Sequence, residues 1–290
     1  MRRREQTPAP IGPALVALDL ARRCDIDPQR VQDEAAGAGG SQPQKAVSFD
    51  GRSWWVKPTT NPQGPHVPVT EYVVGRLGRL IEAPVCTVAL VEIPADIETP
   101  QCPSGIAYGS LDVPGTVNIG PPLQHRSEDD NAPRQVGVHA LFDWCFGDDA
   151  QWLYDLADDW KLHSHDHGFY FPPAGQTWDS GALRASVSDA HPLPDPMPDG
   201  LLPAAVEDFA DRLGAVTRAQ LQEVLESVPP SWPVPDSELE EQLTDGLDQL
   251  YRETAPKREA GGEAVDIRRS IASAAENCTY QKSVAVWTSP

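Results

Sequence analysis

Positive charge is scarce in this chain. Its 290 residues carry 23 lysines and arginines against 43 aspartates and glutamates, a formal net charge of −20. A field of that sign repels nucleic acid and anionic membrane surfaces, so neither is expected as a partner. Long apolar runs are missing as well. The longest, such as residues 85–93, fall far short of the roughly 20 residues that a membrane-spanning helix needs. Arg2-Arg3-Arg4 are not followed by the apolar stretch and small-residue cleavage site of a secretory signal, which leaves a cytoplasmic location as the expectation. The five cysteines (Cys24, Cys86, Cys102, Cys145 and Cys278) are odd in number, widely spaced and without a CxxC pair. That excludes a disulfide framework or a thiolate zinc site and leaves reduced, mostly buried thiols.

What is present suits a globular protein with one large domain or two lobes: 40% of the residues are hydrophobic and 23% charged. The chemistry-bearing groups concentrate in residues 143–168, DWCFGDDAQWLYDLADDWKLHSHDHG. Runs 151–156 and 160–165 are rich in aromatic and aliphatic residues, and Ala157-Asp158-Asp159 between them has the composition of a tight turn. This predicts a β-hairpin. Asp148 and Asp149 stand just before it and Asp166 just after it. A hairpin brings its two ends together, so these acids are placed to share one site.

Taken in order, residues 12–24 have a helical apolar spacing, and Asp27-Pro28 can cap a second helix. Asp50-Gly51, between the β-rich runs 45–49 and 53–57, is a strong hairpin signal. Strand alternation puts Trp55 and Lys57 on one face and Trp54 and Val56 on the other. Lys57 is then either a solvated strand lysine or a cation projected from a rigid strand. Val69-Thr70-Glu71 opens a helix with Thr70 as the expected cap, a buried stripe of Tyr72, Val73, Leu77, Leu80 and Ile81, and an end at Glu82-Ala83-Pro84. In its first turn, Glu71 either complements the helix dipole or pairs with Lys57. Residues 85–93 and 105–111 read as strands, the second with Gly109-Ser110 near its end, where a ligand can approach the backbone. Residues 114–135 form a long polar loop that marks a boundary. Helices follow at 135–146, 201–213, 217–227 and 237–251, with capping boxes at Thr217-x-x-Gln220 and Ser237-x-x-Glu240. Residues 254–290 read as a weakly ordered tail.

The order of these features carries the functional expectation. A strand lysine, a helix glutamate, a paired acid, a hairpin and a further acid match what phosphoryl transfer from ATP needs: a cation on the phosphates, a carboxylate on Mg²⁺, and a carboxylate near the acceptor hydroxyl. Lys57, Asp166 and Asp149 fit these roles in that order. The segments WWVKP…TEYVVGRLGRLIEAPVCTVALVEI, GIAYGS and ALFDWCFGDDAQWL…HSHDHGFYF resemble the HipA-like kinases, as does LGAVTRAQLQEVLESVPPSWPV, over roughly residues 40–252.

The resemblance implies an α+β, two-lobed protein-kinase-like fold with a small β-rich N-lobe and a mainly helical C-lobe. In it, residues 1–38 are an N-terminal extension, 39–115 the N-lobe, 116–253 the C-lobe with a catalytic hairpin at 147–168, and 254–290 the tail. The implied activity is an ATP- and Mg²⁺-dependent Ser/Thr kinase acting on a protein or on itself. Lys57 would then hold the phosphates, Glu71 would pair with Lys57, Asp149 would be the base with Asp148 as the alternative, and Asp166 would be the metal ligand. Gly109 and Ser110 would lie along the nucleotide.

The chain departs from the family's N-x-D-R pattern, reading Gly147-Asp148-Asp149-Ala150, and has no asparagine in 132–276. Gln151 is the nearest stand-in as a nucleotide and metal contact. That departure keeps an inactive pseudokinase, a nucleotide-binding or interaction module, as a second reading. A third is a zinc-dependent hydrolase built on His163, His165 and His167, since alternation puts His163 and His165 on one strand face.

Overall fold

The computed structural model describes residues 15–17, 43–119, 123–148, 151–171 and 201–232, the first three through their strand pairing alone. The architecture is α+β. Among the described residues, eight strands form two sheets: β1 (Leu15–Ala17), β2 (Gln44–Val47), β3 (Ser53–Lys57), β4 (Val88–Ile93) and β5 (Gly105–Leu111) in one, and β6 (Thr116–Asn118), β7 (Gln151–Asp155) and β8 (Lys161–His165) in the other. Four α-helices of the described residues accompany them: α1 (Val67–Leu80), α2 (Asn131–Trp144), α3 (Pro203–Ala215) and α4 (Arg218–Glu226).

In the first sheet the strand order is β1-β4-β5-β3-β2. The β2–β3 hairpin turns where Asp50-Gly51 predicts it, with Gly51 at φ +82° and Lys45 opposite Trp55. Alternation then divides the residues. Trp54 and Val56, 1% and 0% exposed, join Ala89, Val91, Ile93 and Ala107 in one apolar cluster, and Lys57 points to the other face. Residues 15–17 are a strand, not part of the helix expected at 12–24. They run parallel to β4, Leu15 against Leu90. The free edge of β4 offers backbone hydrogen bonds that outweigh a local helical spacing. The helix expected after Asp27 lies outside the described residues.

Helix α1 begins a turn earlier than expected. Pro68 fits its first turn without loss, because that N–H has no intrahelical partner anyway. Thr70 is therefore not the cap: it lies inside the helix, and its hydroxyl donates back to the His66 carbonyl at 3.2 Å. Glu71 consequently lies beyond the first turn, away from the orphan N–H groups. The helix ends at Leu80, and Glu82 follows it in the left-handed region at φ 57°. Its apolar face packs on Val88, Leu90 and Tyr108 of the first sheet and on α2, forming with α3 and α4 the largest core cluster.

The apolar run at 85–93 divides between two structures. Only residues 88–93 join the first sheet. Ser164 of β8 takes the preceding backbone instead, donating to the Pro84 carbonyl at 2.6 Å and accepting from the Cys86 N–H at 3.0 Å. The hairpin read at 151–165 is present, with Gln151 paired to His165 and the turn at residues 156–160. One face of it, Trp152, Tyr154 and Leu162, packs with Val138 of α2. Helix α2 starts at Asn131, four residues before the expected start, because the Asn131 side chain holds the hairpin. It donates to the His125 and Trp160 carbonyls at 2.9 and 2.7 Å and accepts from the Leu162 N–H at 2.9 Å. The Thr217–Gln220 capping box opens α4 as the sequence predicts. The helix expected at 237–251 and the tail lie outside the described residues. Among the described residues no helix is long and apolar enough to cross a membrane.

Candidate active site

Lys57 ends β3, 5% exposed, on the face that α1 covers. A lysine so buried needs a counter-charge, and it has two. Its Nζ donates to Glu71 Oε1 from α1 and to Asp166 Oδ1 from the residue after β8. Glu71 is fully buried, and its second oxygen, Oε2, accepts the His167 backbone N–H at 2.9 Å. Asp166 has φ 56°, a left-handed conformation that bends the chain out of β8 and turns the carboxylate toward Lys57. Its side chain is 42% exposed, the only solvent-facing member of the three.

The electrostatics follow from one cation between two anions. Burial works to discharge Lys57, but Glu71 and Asp166 outweigh it and raise the ammonium above its usual range. Burial also works against the Asp166 carboxylate, yet Lys57 holds it down at about 2. For Glu71 burial wins, aided by the Asp166 charge, and its carboxyl is pushed up to about 7 although Lys57 pulls the other way. The trio is thus a fixed cation, a firmly ionised carboxylate that faces solvent, and a buried carboxylate that is the least firmly charged.

The remaining candidates fall around this trio unevenly. Gln151 is the cross-strand partner of His165, beside Asp166, and its amide oxygen accepts from Asn118 Nδ2 at 2.8 Å. Asp148 is exposed directly after Gly147, while Asp149 lies outside the described residues. Gly147 is tied to the end of α2: its N–H donates to the Phe142 carbonyl at 2.8 Å, and a side chain there would strike Phe142 and Tyr170. Ser110 shares the Lys57 face of the sheet, beside Tyr108 and Cys86. Gly109 points the opposite way. A Cβ there would lie 2.5 Å from Val91 Cγ2, so packing against the strand beside it accounts for the glycine.

The histidines do not gather. His163 and His165 share the half-buried face of the hairpin, but His167 turns into the core, 1% exposed, with its Nε2 2.8 Å from Ser164 Oγ. Among the described residues no three His, Cys, Asp or Glu side chains are grouped to hold a metal ion, which removes the zinc constellation read from residues 163–167. Ser164 is the site residue that sequence reasoning missed, and His167 enters it only as a candidate zinc ligand. Their meeting depends on where β8 pairs with residues 84–86, and no motif records that. Gly168 belongs with them, since a Cβ there would lie 3.0 Å from Val67 Cγ1 and 3.4 Å from Glu71 Oε1.

No family model matches the chain, and neither does any curated protein. Among solved structures it is similar to the crystal structure of a Helicobacter pylori proinflammatory kinase, CtkA. The TM-score is 0.46 at 12% identity, over 74% of this chain and 90% of that one.

Proposed function

We propose that the chain is an ATP- and Mg²⁺-dependent phosphotransferase of the HipA-like kinase type, acting on a Ser/Thr hydroxyl of a protein or of itself. The observation that carries this reading is the buried Lys57 ammonium held between Glu71 and the solvent-facing Asp166. The donor set suits magnesium: Asp166 offers a hard, ionised carboxylate, and the Gln151 amide oxygen lies across the strand pair from the residue beside it. Mg²⁺ with ATP supplies the transferable phosphoryl group and neutralises its charge. Lys57, fixed on a strand, holds phosphate oxygens; Glu71 keeps the ammonium in place; Asp166, with Gln151, holds the metal; and Asp148 or Asp149 accepts the proton of the acceptor hydroxyl.

A second reading, a nucleotide-binding module without turnover, is favoured by one observation. The Gln151 oxygen is already engaged by Asn118, so it is a weaker metal ligand than a free amide. The test is γ-phosphate transfer from labelled ATP with Mg²⁺, to the protein itself or to a cell extract. Wild type is compared with Lys57→Ala, Asp148→Ala, Asp149→Ala and Asp166→Asn. Incorporation lost with Lys57, Asp166 and one of the two paired acids supports the kinase and identifies its base. A melting temperature raised by ATP and Mg²⁺ without incorporation supports the module, and the absence of both effects rejects either reading.

A further inference from the structure

His167 occupies the position after the exposed acid of the site, and its polar atoms are engaged except Nδ1, which has no hydrogen-bond partner among the described residues and lies 4.0 Å from Glu71 Oε2. Its imidazole Nε2 is 2.8 Å from the Ser164 hydroxyl, its backbone N–H reaches Glu71 Oε2 at 2.9 Å, and its carbonyl accepts the Tyr170 N–H at 3.0 Å. The edge of the Tyr170 ring closes over it, with centroids 5.0 Å apart. Ser164, fully buried, is pinned in turn by the backbone of residues 84–86 on both sides. The Ser164–His167 bond therefore closes a four-residue loop that contains Asp166.

That loop has a task. A left-handed residue is disfavoured by roughly 1–2 kcal/mol, less so for Asp, so the conformation of Asp166 depends on how its two flanks are held. Extended backbone at 166 would carry the carboxylate away from Lys57 and the His167 N–H away from Glu71 together. The preceding flank is held by β8. The following flank is held by the His167 backbone, through Glu71 Oε2 and the Tyr170 N–H, and by the imidazole, which ties the same residue back to Ser164 of β8. Burial keeps the ring neutral, with its pKa drawn down to about 3.

We infer that His167, clasped by Ser164, is the positioning residue that holds Asp166 and Glu71 in register about Lys57, and so sets how strongly a divalent cation strengthens nucleotide binding. The inference rests on the phosphotransferase reading for its functional half and on the Ser164–His167–Glu71 geometry for its structural half. Two readouts therefore test it in Ser164→Ala, His167→Phe and the double variant. Phenylalanine keeps the ring volume against Tyr170 but cannot bond the serine.

The first readout needs no nucleotide. The Lys57 ammonium, caged by two carboxylates, should give a slowly exchanging ¹⁵N resonance near neutral pH in wild type, and each single variant should lose it. Persistence of that resonance in both single variants overturns the inference. The second readout is ATP affinity with and without Mg²⁺. The metal-dependent gain should fall about tenfold in each single variant beyond any loss of metal-free affinity, and the double variant should be no worse than either, as expected for groups that act as one unit. Affinities that fall equally with and without metal, or additive losses, also overturn it. Wild type that binds no nucleotide while the ammonium signal behaves as stated would reject the phosphotransferase reading and leave the positioning role standing.

Discussion

Lys57→Met gives the sharpest test of how the charges are arranged. The side chain keeps its length and loses its ammonium, leaving Glu71 and Asp166 facing each other. Removing one partner of a buried, hydrogen-bonded pair costs about 3–5 kcal/mol. Asp166, being 42% exposed, can relax toward solvent, but Glu71 at 0% cannot. The cost must therefore depend on pH. Glu71 already stands at about 7 in the wild type, and without the lysine it moves higher. A carboxyl raised in the folded state is favoured while protonated, and its contribution is lost as pH rises through the folded value. The two proteins thus differ least at pH 6, where Glu71 is mostly protonated in both. The gap widens above pH 7 by about 1.4 kcal/mol per pH unit until the variant's own value is reached. Urea unfolding at pH 6, 7.5 and 9 measures this, with Lys45→Met as the control. Its ion pair with Asp112, open to solvent on the lysine side, should contribute about 1 kcal/mol at most. A Lys57→Met penalty that stays flat across that range, or one no larger than the control's, refutes the argument.

Other perturbations probe the scaffold. Gly109→Ala should destabilise by about 1–3 kcal/mol through its 2.5 Å approach to Val91, and Val91→Ala in the same chain should recover part of that; an undiminished loss in the pair would show another cause. His139, 3% exposed with neither ring nitrogen bonded among the described residues, is held by burial at about 4. Unfolded histidine protonates near 6.5, so part of the wild-type stability is present above pH 6.5 and lost on acidification toward 4. His139→Leu should flatten that part of the urea-midpoint profile, whereas an unchanged slope would mean that the ring reaches solvent. Trp232→Phe should cost about 1 kcal/mol by leaving the Ile106 carbonyl without its 2.7 Å donor, measured by the same unfolding.

Local signals were readable where the structure they encode is local. Asp50-Gly51 set one hairpin and Ala157-Asp158-Asp159 the other, and the Thr217–Gln220 box fixed the start of α4, because each joins residues a few positions apart. The Lys57–Glu71 pair was within reach for a similar reason: a strand-end lysine and an early-helix glutamate lie 14 residues apart. The direct contact of Lys57 with Asp166 was not anticipated, since Lys57 was assigned to phosphate and Asp166 to metal. Nor was the strand at 15–17, whose partner β4 lies over 70 residues away, or the clasp of Ser164 on His167. These depend on which backbone edges remain unpaired once the helices pack, and side-chain periodicity carries no record of that. The start of α2 illustrates the point. Asn-Ala-Pro-Arg reads as loop, and only the hairpin carbonyls and N–H that the Asn131 side chain bonds make it a helix.

The contact that defines the site also dates its formation. Lys57 and Asp166 are 109 residues apart, and Trp232 reaches Ile106 across 126. Contacts of such separation carry the largest loop-closure entropy and close late on the folding path, after the hairpins and helices have formed. On a growing chain, Glu71 emerges soon after Lys57 and can neutralise it early, while the acid that faces solvent arrives with the second sheet. Protection of the Lys57 ammonium is therefore a late marker of folding, and it distinguishes a chain that has merely collapsed from one whose two sheets have docked.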